Sequence, residues 1–194
     1  MEAATVTIPE SLIYERIAGR PVYYAGYRDY LNGNRSMEEL MGSSYLQGFL
    51  GTQLVLLLGR LLDPVRYRII ANEIGLKFGP NAWRAADLAI FSTTTLKGVP
   101  LLNKYLEVPP EIVIEIDTKA DLHDLDNPLG YYQEKTDQLL EFGVRKVIWI
   151  FTDTRKVLIA PQGDNWTILP WERDVEVMPE VVINVAKLLE GSEL

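Results

Sequence analysis

The chain has 194 residues, long enough for one domain with a sizeable core and short for two, and its 47% hydrophobic and 10% aromatic content belongs to a globular protein rather than a disordered one. Net charge is −8, there is no cysteine, and His123 is the single histidine. A disulfide framework, a thiolate nucleophile and a cysteine-held zinc or iron site are therefore excluded, and the ligands left for a metal are carboxylates, whose oxygens suit Mg²⁺, Mn²⁺ or Ca²⁺.

The opening "MEAATVTIPE" lacks a basic segment followed by an apolar core, so no secretory signal is expected. Next, "LIYERIAGRPVYYAGYRDYLNGN" alternates apolar and polar residues and is cut by "AGRP" and "NGN", which predicts short strands joined by turns. Two capping boxes follow, Ser36 with Glu39 and Ser44 with Gln47. The second introduces a helix to about Leu62, with Leu46, Phe49, Leu50, Leu54, Leu57, Leu58 and Leu61 on one stripe, and Asp63-Pro64 ends it. Its apolar run is broken by Gln47, Gln53 and Arg60, which argues for a buried helix rather than a membrane span and for a cytoplasmic protein.

Strand patterns take over in "YRIIANEIGLKF" and "WRAADLAIF", separated by the turn-rich "GPNA". A loop, "STTTLKGVPLLNKYLEVPP", leads to the strand "EIVIEI". Asn127-Pro128 supplies a cap and a first-turn proline for a helix that ends at Gly143. Beyond it, "KVIWIFTDTRKVLIA" predicts two strands about the turn "TDTR", "NWTIL" another strand and "INVAKLLEG" a short closing helix. This order predicts an α/β sandwich with a mixed sheet.

The central strand raises the functional question. In "EIVIEIDTK" strict alternation puts Ile112, Ile114 and Ile116 on one face and Val113, Glu115, Asp117 and Lys119 on the other. Such a face is either washed by solvent or the wall of a site. Asp87 lies within the apolar "RAADLAIF", where a carboxylate is costly to bury unless it is paired or bound to a cation, and Glu73 in "ANEIGLKF" is a weaker case of the same kind. On the helix from Pro128 to Phe142, Leu129, Tyr132, Thr136, Leu139 and Leu140 make the predicted buried stripe, and Glu134, Asp137 and Glu141 the opposite face. Lys135 falls at the edge of that stripe, either snorkelling to water or pointing back to the preceding strand. Asp87, Glu115 and Asp117 with a lysine would form a hard-metal site able to hydrolyse phosphodiesters. A Ser-His-Asp triad would need His123, which sits in the polar run "DLHDLDN" and is expected in a loop.

These residues resemble the Uma2 family of restriction endonuclease-like proteins, within the PD-(D/E)XK nuclease superfamily. The similarity runs from about Leu12 to Ile159. "RAADLAIF" is similar to the family's P-D-φ-φ-φ strand, "VPPEIVIEI" to its P-φ-φ-φ-E-V strand, and "YYQEKTDQLLEFGVRKVIWIF" to its K-x₃-Y-x₃-G-V-x-x-Y-W-φ segment. The resemblance implies a restriction endonuclease-like fold with a central mixed β-sheet flanked by helices and extra N-terminal strands. The expected organisation is one domain over 1–194, with a β-rich segment at 1–35, a nuclease-like core at 36–160 and a C-terminal strand and helix at 161–194. It further implies Asp87 and Glu115 as the acidic motif residues, holding Mg²⁺ or Mn²⁺ with Glu73 nearby, and Lys135 as a lysine relocated from the strand to the helix. The chain departs from the pattern at Ala86, Leu139 and Tyr45, where the family has proline, tyrosine and often histidine. In this register Asp117 occupies the usual lysine slot, while Asp117-Thr118-Lys119 is also a literal D-x-K, so Lys119 competes with Lys135.

The function expected is Mg²⁺-dependent hydrolysis of DNA, most naturally by a homodimer, since two-fold DNA calls for two-fold protein. The charge distribution tempers it: residues 1–110 sum to +1 and 111–194 to −9. The only plausible basic surface is that of Arg60, Arg66, Arg68, Lys77, Arg84, Lys97 and Lys104. That favours the alternative, a nuclease fold that has lost cleavage and serves as a binding module. A carboxylate-pair glycoside hydrolase would fit the two acids and leave the lysine without a role.

Overall fold

Residues 8–17, 19–123 and 128–190 are described in the computed structural model of the chain. Eight strands form one mixed sheet: β1 (Ile13–Ile17), β2 (Arg20–Tyr23), β3 (Tyr67–Gly79), β4 (Ala82–Ser92), β5 (Ile112–Ile116), β6 (Lys146–Phe151), β7 (Lys156–Pro161) and β8 (Thr167–Pro170). Their order is β2-β1-β4-β5-β6-β7-β8, with β3 also paired to β4. β5 and β6 run parallel, because the chain crosses one face of the sheet between them as helix α4 (Pro128–Phe142). Every other pairing is antiparallel. The three segments expected from the sequence thus all contribute strands to one sheet.

Two cores lie on opposite faces. Helix α3 (Tyr45–Leu61) packs Leu50, Leu54 and Leu58 onto Leu88, Ile90, Ile112, Ile114, Ile116, Ile148 and Ile150. On the other side, Tyr131 and Leu139 of α4 meet Ala89, Phe91, Val113, Val147 and Trp149. All five residues of β5 are buried, as a strand covered on both faces requires. The stripe of α3 is narrower than predicted, an i, i+4, i+8 row, with Leu46 and Leu61 near its ends exposed.

Several local expectations are corrected. "YRDYL" is not a strand but the short helix α1 (Tyr27–Leu31), entered from Gly26 at φ +82°, a conformation that glycine tolerates best. Ser36 and Glu39 form the full capping box of α2 (Met37–Met41). At α3 the box is half made: Ser44 Oγ accepts from Gln47 N at 3.2 Å, but the Gln47 side chain donates to Ile116 O at 2.7 Å instead of turning back. A hairpin of β9 (Val175–Met178) and β10 (Val181–Ile183) was not foreseen; it packs with α5 (Val185–Leu189) into the α3-side core. Asn127, the expected cap of α4, lies outside the described residues, whereas Gly143 ends that helix at φ +115° as predicted.

Candidate metal and phosphodiester site

The sheet register brings the acidic residues of two strands together. β4 and β5 pair with Leu88 opposite Ile114, which sets Asp87 beside Glu115 where that pairing ends. On the other edge of β4, β3 skips from Ala71↔Leu88 to Ile74↔Ala86, so Asn72 and Glu73 bulge against Asp87, at φ +77° and +54°. Asp87 Oδ2 accepts the N–H of Ile116 at 2.7 Å, tying β4 to β5. Burial raises the Asp87 pKa, and the Ile116 hydrogen bond opposes that rise.

Lys135 does not snorkel. It is fully buried, with Tyr131 and Leu139 one turn to either side, so the core-facing row of α4 runs through the lysine, and Leu129, predicted buried, is 75% exposed. Lys135 Nζ lies 2.8 Å from Glu15 Oε1 and 3.1 Å from Glu115 Oε1. Glu15 reaches this point from β1. Its Oε2 accepts from Arg84 Nη1 at 2.8 Å and from the Tyr131 hydroxyl at 2.7 Å, and its Oε1 accepts from Ala85 N at 3.1 Å. Arg84 Nε donates to Gln138 Oε1 at 3.0 Å.

Charge states follow from this sharing. Burial would raise the Glu15 pKa, but Lys135 and Arg84 outweigh it and hold the carboxyl below its ordinary value. Among the described residues Lys135 is the cation that favours ionised Glu115, and burial, aided by the charge of Asp87, outweighs it and pushes the carboxyl up to about 8. Lys135 loses hydration, which lowers its pKa, yet Glu115 and Glu15 together hold it well above the ordinary lysine range. Glu15 is therefore the permanent counterion and Glu115 the group that can change protonation.

Glu15 and Arg84 were missed as site residues. Arg84 was expected on a basic surface; it is instead wholly buried against Glu15. The signal for Glu15 is its parity, since in "IYERI" it shares the strand face of Ile13 and Ile17.

Asp117 and Lys119 do not continue the face of Glu115. Asp117 adopts φ +56°, which ends the alternation, and its carboxylate accepts from Thr152 N at 2.8 Å and Thr152 Oγ1 at 2.6 Å. Beyond this turn Lys119 pairs with Glu73 and donates to Met41 O at 2.9 Å. Lys119, Glu73, Asp87, Gln47 and Ile116 line a cleft of about 440 Å³ beneath α3. His123 is an exposed loop residue beside Asp121, as expected.

Among the described residues, no three or more His, Asp or Glu side chains stand together as a metal-holding group. The oxygen donors nonetheless fit a hard divalent cation in kind. Mg²⁺ is commonly held by one or two carboxylates, with water and substrate phosphate completing its shell. Glu115 Oε1, buried, has Lys135 at ion-pair distance but accepts no hydrogen bond.

Comparison with known proteins supports the fold. No protein-family model and no curated protein matches the chain. Among solved structures, it is similar to a candidate nuclease belonging to DUF820 from Anabaena variabilis ATCC 29413, with a TM-score of 0.67 and 15% identity. The match covers 94% of this chain and 92% of that one. The chain thus has the mixed α/β fold of that protein, a large mixed sheet flanked by helices.

Proposed function

We propose that the chain is a nuclease that hydrolyses phosphodiester bonds of DNA with Mg²⁺ or Mn²⁺, with Asp87 and Glu115 as the carboxylates that hold the cation and Lys135 as the positive charge behind them. The observation that carries this reading is the buried pair of Lys135 and Glu115, 3.1 Å apart, beside Asp87 on the neighbouring strand. The Uma2-like order of the sequence motifs and the fold shared with the Anabaena protein support it.

A bound cation would supply Lewis acidity at a phosphate oxygen and a water acidified enough to attack phosphorus. The chain's own residues do the rest. Lys135 offsets part of the cost of burying negative charge on Glu115, and Glu15 adds a second counterion to Lys135. Asp87 holds the ends of β4 and β5 in register through the Ile116 N–H. Glu73 lines the cleft with Asp87 and is paired with Lys119, so it would reach the same cation only on leaving that lysine. Asp117, spent on Thr152, has no part in it. Cutting both strands of a duplex calls for two copies of the chain.

The test is calorimetric titration of Mg²⁺ and Mn²⁺ into the protein, with and without a DNA duplex, beside Asp87→Ala and Glu115→Ala. Binding and DNA cleavage lost together in both variants support the nuclease. Absence of binding even with DNA present rejects it. One observation favours a second reading, a binding module without cleavage: Lys135 is shared by two glutamates, so its charge is neutralised before any phosphate arrives.

A further inference from the structure

Lys119 is a cation of the Asp87 cleft that the proposed chemistry leaves unused. It stands in the wall shared by two clefts: the one of about 440 Å³ that holds Asp87 and Glu73, and a second of about 510 Å³ lined by Arg35, Ser43, Ser44 and Thr118. Its side chain is 12% exposed, and its ammonium bridges two elements, donating to Met41 O at the end of α2 and pairing with Glu73 of the β3 bulge. The bulge is costly backbone. Two consecutive non-glycine residues, Asn72 and Glu73, take left-handed conformations, and the outcome is a carboxylate set on Lys119 opposite Asp87. A lysine needs only one anion, and a carboxylate and a phosphate diester compete for it on equal charge.

We propose that Lys119 is a phosphate-binding residue for a DNA strand passing from one cleft to the other, and that Glu73 occupies the phosphate's place until DNA arrives. Exchange of Glu73 for phosphate keeps the charge on Lys119 compensated and releases the Glu73 carboxylate on the Asp87 side of the cleft. Exposed Arg35, across the second cleft, provides the next positive charge along the strand. The inference rests on the nuclease reading only for the choice of DNA, and concerns binding rather than cleavage.

The experiment is fluorescence anisotropy of a labelled DNA duplex in EDTA over a range of salt, with wild type, Lys119→Gln, Lys119→Arg and Glu73→Gln, each checked for folding by near-UV circular dichroism. Removing one phosphate contact should weaken binding about tenfold. It should also flatten the logarithmic salt slope by about 0.9 for Lys119→Gln, with Lys119→Arg close to wild type. Glu73→Gln, which removes the internal competitor, should bind several-fold more tightly. The proposal fails if wild type binds no DNA, if both neutral variants match wild type, or if Glu73→Gln weakens binding as Lys119→Gln does, which would make the pair a strut. DNA bound with these shifts but never cut, with Mg²⁺ restored, would reject the nuclease and keep Lys119. DNA cut without the shifts would do the reverse.

Discussion

Lys135 Nζ sits 2.8 Å from Glu15 Oε1, joining the fourth helix to the first strand across 120 residues of sequence, and both side chains are fully buried. Neither ion could occupy that position alone, because an unpaired buried charge is far less stable than a paired one. The pair therefore holds the N-terminal hairpin against the sheet as well as setting the charge of the proposed site.

Glu15→Gln should accordingly be strongly destabilising. It leaves Lys135 with Glu115 alone and Arg84 without its carboxylate partner, and the loss should be about 3–5 kcal/mol. Urea denaturation gives the value directly as a fall in the midpoint at unchanged slope. A loss under about 1 kcal/mol would mean that the cations find other partners.

Glu115 should make stability depend on pH. Its pKa of about 8 lies above the ordinary carboxyl value, so between that ordinary value and 8 the folded chain binds a proton that the unfolded chain has released. The stabilisation is complete below the unfolded pKa and is lost as pH rises through 8. Wild-type thermal midpoints should therefore fall between about pH 5 and 8.5, and Glu115→Gln should be flatter over that window. Parallel curves for the two proteins would remove Glu115 as the titrating group.

Binding of Mn²⁺ should be separable from folding at Asp87. Asparagine retains an oxygen able to accept the Ile116 N–H, and the carboxylate it replaces is disfavoured by burial, so Asp87→Asn should unfold within about 1 kcal/mol of wild type. Paramagnetic broadening by Mn²⁺ near Ile116 should nevertheless disappear in the variant. Broadening that persists would place the cation elsewhere.

Asp117 should behave as a structural residue. Asp117→Ala forfeits two hydrogen bonds from Thr152 and puts alanine in a left-handed conformation, at a cost of about 2 kcal/mol. Asp117→Asn should cost about half as much, since asparagine tolerates that conformation and keeps an acceptor. Metal affinity should be unchanged in both. A loss of affinity with normal stability would return Asp117 to the site.

The legible parts of the fold were those governed by local chemistry. β3, β4, β5, β6 and α4 lie where the patterns predicted, because alternation, turn residues and glycine at a helix end act over a few residues. Asp87, Glu115 and Lys135 stood out as charges in apolar settings. The β9–β10 hairpin was not legible, its strands being only four and three residues long.

By itself, then, the sequence determined the layered α/β order and the candidate charges, through periodicity and the cost of burying ions. Which charges meet was decided only by tertiary structure. One left-handed residue, Asp117, turned Lys119 away from Glu115, and one sheet order brought Glu15 and Arg84 to Lys135. Periodicity assigns a face but not a partner, because pairing depends on strand order and crossover, which link residues far apart in the chain.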